Sequence, residues 1–194
     1  TELYRSGAEA LDQERIFRAI EFFKSSLEKN DNYLQPIVGL AQAYFALTEY
    51  EEALIYVRRA RVFDRGNVEL VGLEGRIRLG LGEFEAAGEL FKSIIAIQPN
   101  NLDARFGLAE LEIAFGQTAN AAALYEQSLK ISPQNRRALL SLIIIFDEAG
   151  KHDIAEIYLE QVLDYYSESP QVQYIAAKHR LESGMLNDAE YHTL

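Results

Sequence analysis

Apolar residues recur along this chain at helical spacing, and the whole pattern returns every 34 residues. Alanine marks the repeat most clearly, because one alanine column keeps this interval without a slip. That column holds Ala19, Ala53, Ala87, Ala121, Ala155 and Ala189. Within residues 34–67, the apolar spacing predicts one helix over 34–47 and a second over 50–63. A stack of helix pairs is therefore predicted, in place of one folded core.

A turn and a close helix contact are predicted at fixed places in each pair. Glycine just past a helix end supplies the left-handed backbone that closes the last turn. The turn column holds Glu14, Thr48, Gly82, Gly116, Gly150 and Gly184. Small residues such as Ala41 and Gly75 in the first helix, with the alanine column in the second, predict closely crossing helices. Leucine there should overpack the joint by about 1–3 kcal/mol. Ile143 replaces the small residue in the fifth repeat, which predicts a wider crossing in that pair.

These columns resemble the tetratricopeptide repeat, a family with a 34-residue pattern. The matching residues of the second to fourth repeats are Leu40, Ala41, Tyr44, Tyr50, Ala53, Val57, Ala60; Gly75, Gly82, Phe84, Ala87, Phe91, Pro99; and Leu108, Ala109, Gly116, Ala121, Tyr125, Pro133. The resemblance covers the whole chain and implies an all-α fold, a right-handed superhelical solenoid of antiparallel helix pairs.

The repeats form a single predicted array. Their bounds are 1–33, 34–67, 68–101, 102–135, 136–169 and a partial unit, 170–194. Because solenoids normally end in a polar capping element, and the last unit stops within its second helix, the native protein is expected to continue beyond this sequence.

Composition narrows the classes of function. The chain has no cysteine, which excludes disulfides and thiolate chemistry. Its formal charge of −11 is spread along the sequence and disfavours nucleic acid as a partner. The longest apolar run, residues 139–146, is much shorter than the roughly 20 residues that span a bilayer, so no membrane insertion is predicted. Cytoplasm and bacterial cell envelope are both compatible locations.

Catalytic and metal-binding patterns were sought among the titratable residues. His152, His179 and His192 are interpreted as packing residues, because none shows a metal-ligand spacing on one helix face. Asp147 and its neighbour Glu148 are interpreted as solvated charge, because adjacent residues on a helix do not face each other. The sequence predicts no metal, no cofactor and no enzymatic activity.

The resemblance implies that the first helices of the repeats line a concave groove. Two apolar columns on these helices predict its floor, with glycine or serine between them at Gly39, Gly72, Gly107 and Ser141. The candidate contact residues are Phe45, Leu79, Phe106, Ile113, Leu140 and Ile144, with Arg76, Glu110 and Arg137 setting orientation. Leu140 and Ile144 are expected to point into the groove. The alternative is that the superhelix itself partly buries these columns.

The predicted function is a non-enzymatic scaffold that holds a protein partner, an amphipathic helix or an apolar peptide, in this groove. A chaperone-tail clamp is disfavoured, because the family's carboxylate-gripping asparagines are missing from the corresponding columns. Two alternatives remain open. The chain is either a substrate-recruiting arm of a larger enzyme, such as a glycosyltransferase or peptidase, or a module that self-assembles into a homo-oligomer through its open ends.

Overall fold

The structure is a computed structural model that describes residues 2–184. Within that range the chain forms eleven α-helices and no strand, which confirms the predicted fold class. They are α1 (Glu2–Asp12), α2 (Ile16–Lys29), α3 (Leu34–Ala46), α4 (Tyr50–Phe63), α5 (Val68–Gly80), α6 (Phe84–Ile97), α7 (Leu102–Ala114), α8 (Thr118–Ile131), α9 (Arg136–Glu148), α10 (His152–Tyr166) and α11 (Pro170–Glu182). Among the described residues, no helix combines the length and apolarity needed to cross a membrane. Ala189 and His192 lie outside the described residues.

Helix boundaries keep the 34-residue register predicted from the sequence. First helices begin at Leu34, Val68, Leu102, Arg136 and Pro170, and second helices begin at Ile16, Tyr50, Phe84, Thr118 and His152. All six residues of the turn column have positive φ, from 57° at Glu14 to 74° at Gly82. Glu14 and Thr48 adopt this left-handed conformation without being glycine, so the turn is imposed by the repeat as a whole.

The small columns lie at helix joints. The five alanines of the column within the described residues, Ala19, Ala53, Ala87, Ala121 and Ala155, are fully buried. Two aromatic rings also pack against glycine. A methyl group added to Gly39 would lie 2.5 Å from the Phe23 ring, and one added to Gly107 would lie 2.4 Å from the Phe91 ring. Gly39 and Gly107, which the sequence places between the two apolar columns, therefore make room for a core side chain.

In the fifth repeat, side chains of different sizes fill the same helix joint. Ile143 and Ile175 occupy the positions that correspond to Gly75 and Gly107, and Leu159 replaces the phenylalanine. All three are buried in one cluster. A smaller side chain on the second helix thus accompanies larger ones on the first helices, which keeps the core filled.

Contacts along the backbone divide the chain into two compact units, residues 1–107 and 108–194. In the first unit each helix from α1 to α6 packs on its neighbour in sequence. In the second unit α8 packs on α9, α9 on α10, and α11 on both α9 and α10.

Candidate partner-binding surface and buried polar clusters

The first helices of the first unit share a recess. An open cavity of about 300 Å³ is lined by residues of α3, α5 and the start of α7, together with Phe91 and Ile94 of the second helix α6. Val38 and Gln42 come from α3, Gly72 and Arg76 from α5, and Asp103 from α7. Apolar, amide, cationic and anionic groups therefore meet within one concavity. Such a mixed lining suits a peptide segment, which carries both apolar side chains and backbone polar groups.

Three of the predicted contact residues lie on the first helices beside this recess. Phe45 and Leu79 are half-buried, and Arg76 is exposed. The Arg76 guanidinium lies 5.4 Å from the centroid of the Phe45 ring. This cation–π contact holds the arginine over an apolar surface while leaving its donors available.

Two predicted contact residues are buried, so the prediction that they form an accessible floor is wrong. Phe106 is 3% exposed and Leu140 is 5% exposed. Leu140 belongs to the cluster formed by α9, α10 and α11, where α11 packs on α9. A seven-residue offset returns to nearly the same helix face, within about 20°. Two residues seven positions apart nevertheless lie about two turns apart along the helix axis. They therefore contact different neighbouring helices, and those contacts decide which of the two is buried.

The remaining candidates belong to the second unit. Ile113 is 43% exposed and Ile144 is 38% exposed, so both are accessible. Arg137 and Glu110 form an ion pair that links α9 to α7. Both partners are partly exposed, and exposed pairs contribute only about 0–1 kcal/mol. These two side chains can therefore exchange partners at little cost.

The sequence analysis missed exposed apolar residues on the second helices. Phe17, Ile55, Val62 and Ile97 are each between 64% and 73% exposed. They escaped notice because only the first helices were considered as a binding face. Their signal in the sequence is an apolar residue outside the buried stripe of its helix.

A first polar cluster lies inside the first unit, and we call Glu74, Arg61 and Arg78 the Glu74 cluster. The Glu74 side chain is 5% exposed. It accepts hydrogen bonds from Arg61 and, at 2.8 Å, from Arg78 Nε. Burial by itself favours the protonated carboxyl, but the hydrogen bonds and charges of the two arginines outweigh it and lower the pKa of Glu74.

A second polar cluster lies inside the second unit, and we call Asp147, His152, Glu156 and His179 the His179 cluster. His179 is completely buried, and its Nδ1 lies 2.7 Å from Asp147 Oδ1. Its Nε2 lies 2.7 Å from Glu156 Oε2. His152 Nδ1 lies 3.0 Å from the same Asp147 oxygen. Ligand atoms of Asp147, His152 and His179 all fall within 4.8 Å of one another, close enough to hold a metal ion.

The His179 cluster corrects two predictions. Asp147 is not solvated, because its side chain is only 7% exposed. The statement that no histidine has a metal-ligand spacing on one helix face is also wrong, because Glu156 lies four residues after His152 on α10. Asp147 and His179 come from α9 and α11, and the two imidazole ring centroids lie 6.1 Å apart. A comparison of repeat columns could have revealed the cluster.

An all-helical chain in constant 34-residue register, with small residues at its helix joints, is an α-solenoid repeat protein. Models of the tetratricopeptide repeat match residues 73–136 and 112–179, which together are more than half of the chain. The chain belongs to the tetratricopeptide repeat family.

Known proteins of this architecture resemble the chain over most of its length. Superkiller protein 3 of Schizosaccharomyces pombe is 24% identical over 157 residues, which are 81% of this chain and 11% of that protein. TTC0263, a thermophilic TPR protein of Thermus thermophilus, is 16% identical with a TM-score of 0.79 and covers 93% of this chain and 98% of its own. YrrB, described as a TPR protein with an unusual peptide-binding site, is 17% identical with a TM-score of 0.58, covering 89% and 88%.

These likenesses show the fold. Membership of the tetratricopeptide repeat family supports the general class of protein-interaction scaffolds. The chain spans about a tenth of the length of the curated relative that it matches. Tetratricopeptide arrays are generally non-catalytic, and the same architecture serves many unrelated processes.

Proposed function

We propose that this chain is a non-enzymatic scaffold that binds a protein partner on the faces of its first helices. The partner segment is an amphipathic helix or an apolar peptide. The observation that carries this proposal is the recess of the first unit, to which three successive first helices contribute. Concave surfaces built from stacked repeats are the usual binding faces of solenoids.

The chemistry of the recess indicates how such a segment would be held. Val38 and Val68 line the recess with apolar groups, while Gln42, Arg76 and Asp103 offer hydrogen bonds of both polarities. An apolar anchor would pack against Val38, and the Phe45 ring beneath Arg76 would extend that contact. Arg76 would then orient the segment by pairing with a carbonyl or carboxylate group. In the second unit, exposed Ile113 and Ile144 extend the set of apolar contact candidates.

Site-specific photocrosslinking tests this proposal directly. A photoreactive phenylalanine derivative is placed at Gln42 in the recess, at Ile55 on second helix α4, or at Glu89 on second helix α6. Ile55 is 64% exposed and the Glu89 side chain 76%, so all three variants present the probe to solvent. We expect a defined protein adduct from Gln42 alone, and a weaker one when Arg76→Glu is added.

Circular dichroism should show equal helicity in every variant. Labelling from Ile55 in place of Gln42 would move the binding face to the exposed apolar residues of the second helices. Equal labelling from all three positions would mean that no specific face exists.

A further inference from the structure

The His179 cluster breaks the repeat pattern at four positions together. In the preceding repeats the corresponding columns are apolar or small, apart from Thr118 and, in the first repeat, Glu9 of the His179 column. The Asp147 column holds Leu11, Phe45, Leu79 and Ile113; that of His152 holds Ile16, Tyr50, Phe84 and Thr118; that of Glu156 holds Ile20, Leu54, Gly88 and Ala122; and that of His179 holds Ala43, Ile77, Leu111 and Ile145. Three helices thus change from apolar to ionisable residues where they meet.

The donors and acceptors of this cluster do not match one another. A neutral histidine offers one donor and one acceptor, while an ionised carboxylate only accepts. Nδ1 of buried His179 lies 2.7 Å from Asp147 Oδ1. Its Nε2 lies 2.7 Å from Glu156 Oε2 outside hydrogen-bond geometry, and both of these atoms are buried without a hydrogen-bond partner. If Nε2 carries its hydrogen toward Glu156, then the Nδ1 lone pair faces Asp147 Oδ1, and two acceptors oppose each other.

A cation resolves this conflict. Within the part of the chain that the structure describes, neither Asp147 nor Glu156 pairs with a lysine or arginine. A cation placed between Asp147 Oδ1 and the two histidine nitrogens would turn this opposition of acceptors into favourable contacts, because each of these atoms can donate a lone pair to it.

The ligand types and their positions suit a transition metal. Imidazole nitrogen and carboxylate oxygen bind Zn²⁺ at about 2.0–2.2 Å, which places neighbouring ligand atoms about 3.3 Å apart in a tetrahedral site. The two separations from Asp147 Oδ1, 2.7 and 3.0 Å, would each lengthen by a few tenths of an ångström, and the ligand atoms of the two histidines already lie within 4.8 Å of each other. His152 is 31% exposed, so the site has access to solvent.

We propose that Asp147, His152 and His179 bind a divalent transition-metal cation, with Zn²⁺ as the representative ion, through one oxygen and two Nδ1 atoms. Water completes the coordination. Glu156 is a positioning residue: after a small reorientation its Oε2, 2.7 Å from His179 Nε2, accepts the Nε2 hydrogen and so directs the Nδ1 lone pair toward the metal. Metal-bound histidines commonly have such a carboxylate on their other nitrogen.

In the protein the ion would tie α9, α10 and α11 together. This role is independent of partner binding in the first unit. Because the ligands must be deprotonated, binding should weaken in acid and release protons.

The test uses the untagged 194-residue chain after treatment with EDTA. Calorimetric titration with Zn²⁺ should show one ion bound per chain, and Co²⁺ should give the visible spectrum of a four- or five-coordinate site. Thermal unfolding should shift upward with Zn²⁺ and return after EDTA. His152→Gln should weaken binding at least tenfold, and Glu156→Ala about ten- to hundredfold.

Two controls match these variants. Asp153→Asn removes an exposed carboxylate from the same helix, and His192→Gln removes the remaining histidine of the chain; both should keep the parent affinity. His152 is partly exposed and Asp147 keeps its contact with His179, so His152→Gln leaves no buried polar group newly unpaired. Glu156→Ala removes the carboxylate beside the buried His179 Nε2, so its unfolding free energy is measured alongside its affinity. The proposal is overturned if the parent chain shows no saturable binding at millimolar Zn²⁺, in which case a proton holds His179. It is also overturned if the controls lose as much affinity as His152→Gln.

Discussion

Each unit holds charged side chains in its interior, the Glu74 cluster in the first unit and the His179 cluster in the second. The two clusters differ in how these charges are balanced. Glu74 stands in a column that otherwise holds Ser6, Leu40, Leu108, Leu142 and Ala176, and Arg61 in one that holds Leu27, Ile95, Leu129 and Leu163. The arginine therefore replaces an apolar residue together with the glutamate, and the charges balance inside the protein. The His179 cluster combines two carboxylates with two imidazoles and lacks such a balance among the described residues.

An ionisable residue in an otherwise apolar column can therefore belong to either of two kinds of cluster. The residues that contact it tell the two kinds apart. Guanidinium groups cannot lose their proton in a protein and do not act as metal ligands, so a carboxylate surrounded by arginine is complete. Imidazole has a lone pair that can bind a metal, so carboxylates surrounded by histidine can still receive a cation.

The largest expected effect comes from breaking the Glu74 cluster. Arg61→Leu should lower the free energy of unfolding by about 3 kcal/mol, because a buried carboxylate loses one of the two arginines that hydrogen-bond to it, and Arg58 lies 3.9 Å away with an exposed side chain. Adding Glu74→Leu should recover most of that loss, since the pair then matches Leu27 and Leu40 of the preceding repeat. Urea unfolding followed by circular dichroism measures both. If the second substitution deepens the loss, the buried charge is not its cause.

A smaller effect of opposite sign is expected in the metal-free His179 cluster. Asp147→Leu with His179→Ile restores the apolar residues of the preceding repeats and should raise the free energy of unfolding by about 1–2 kcal/mol. The same urea titration in EDTA checks this, and Zn²⁺ should no longer shift the midpoint. A loss comparable to that of Arg61→Leu would show that this cluster is also complete without a metal.

Substitutions in the turn column should change the free energy of unfolding by about 1 kcal/mol in either unit. Thr48 has a φ of 59°, a conformation that costs a non-glycine residue about 1–2 kcal/mol, so Thr48→Gly should raise stability by about 1 kcal/mol. Gly150→Ala should lower it by a similar amount, because φ is 68° there and an added methyl group meets nothing within 4 Å. Urea unfolding midpoints that equal the parent's in both variants would contradict backbone strain at these turns.

The smallest expected effect is on acid stability, because only one of 30 acidic residues changes. The pKa of Glu74 lies below its ordinary 4.5 in the folded protein, since hydrogen bonds and charges of arginine outweigh the cost of burial. Its contribution is therefore present above pH 4.5 and is lost as pH falls through the lower folded value. The parent should lose more stability over this range than Arg61→Leu/Glu74→Leu. Parallel curves of unfolding free energy against pH for the parent and the double variant would show that Glu74 does not contribute to acid stability.

Much of the fold could be predicted from local pattern. Helix starts, the positive φ of the turn column and the burial of the alanine column all follow from one 34-residue period, because each depends on residues within a single repeat. The accessible surface was predicted less well. Phe45, Leu79, Arg76, Ile113 and Ile144 are accessible or half-buried, whereas the buried Phe106 and Leu140 show that a column assignment does not reveal what covers it.

The sequence by itself determined the repeat, its helices, its turns and its family. Only the tertiary structure decided which faces are covered and which polar residues meet. Asp147 and His179 are 32 positions apart, and their contact depends on α11 packing against α9. Helical periodicity places a residue around its own helix axis, but the neighbour it meets is set by the packing of another repeat. The recess of the first unit and the His179 cluster of the second both arise from that packing.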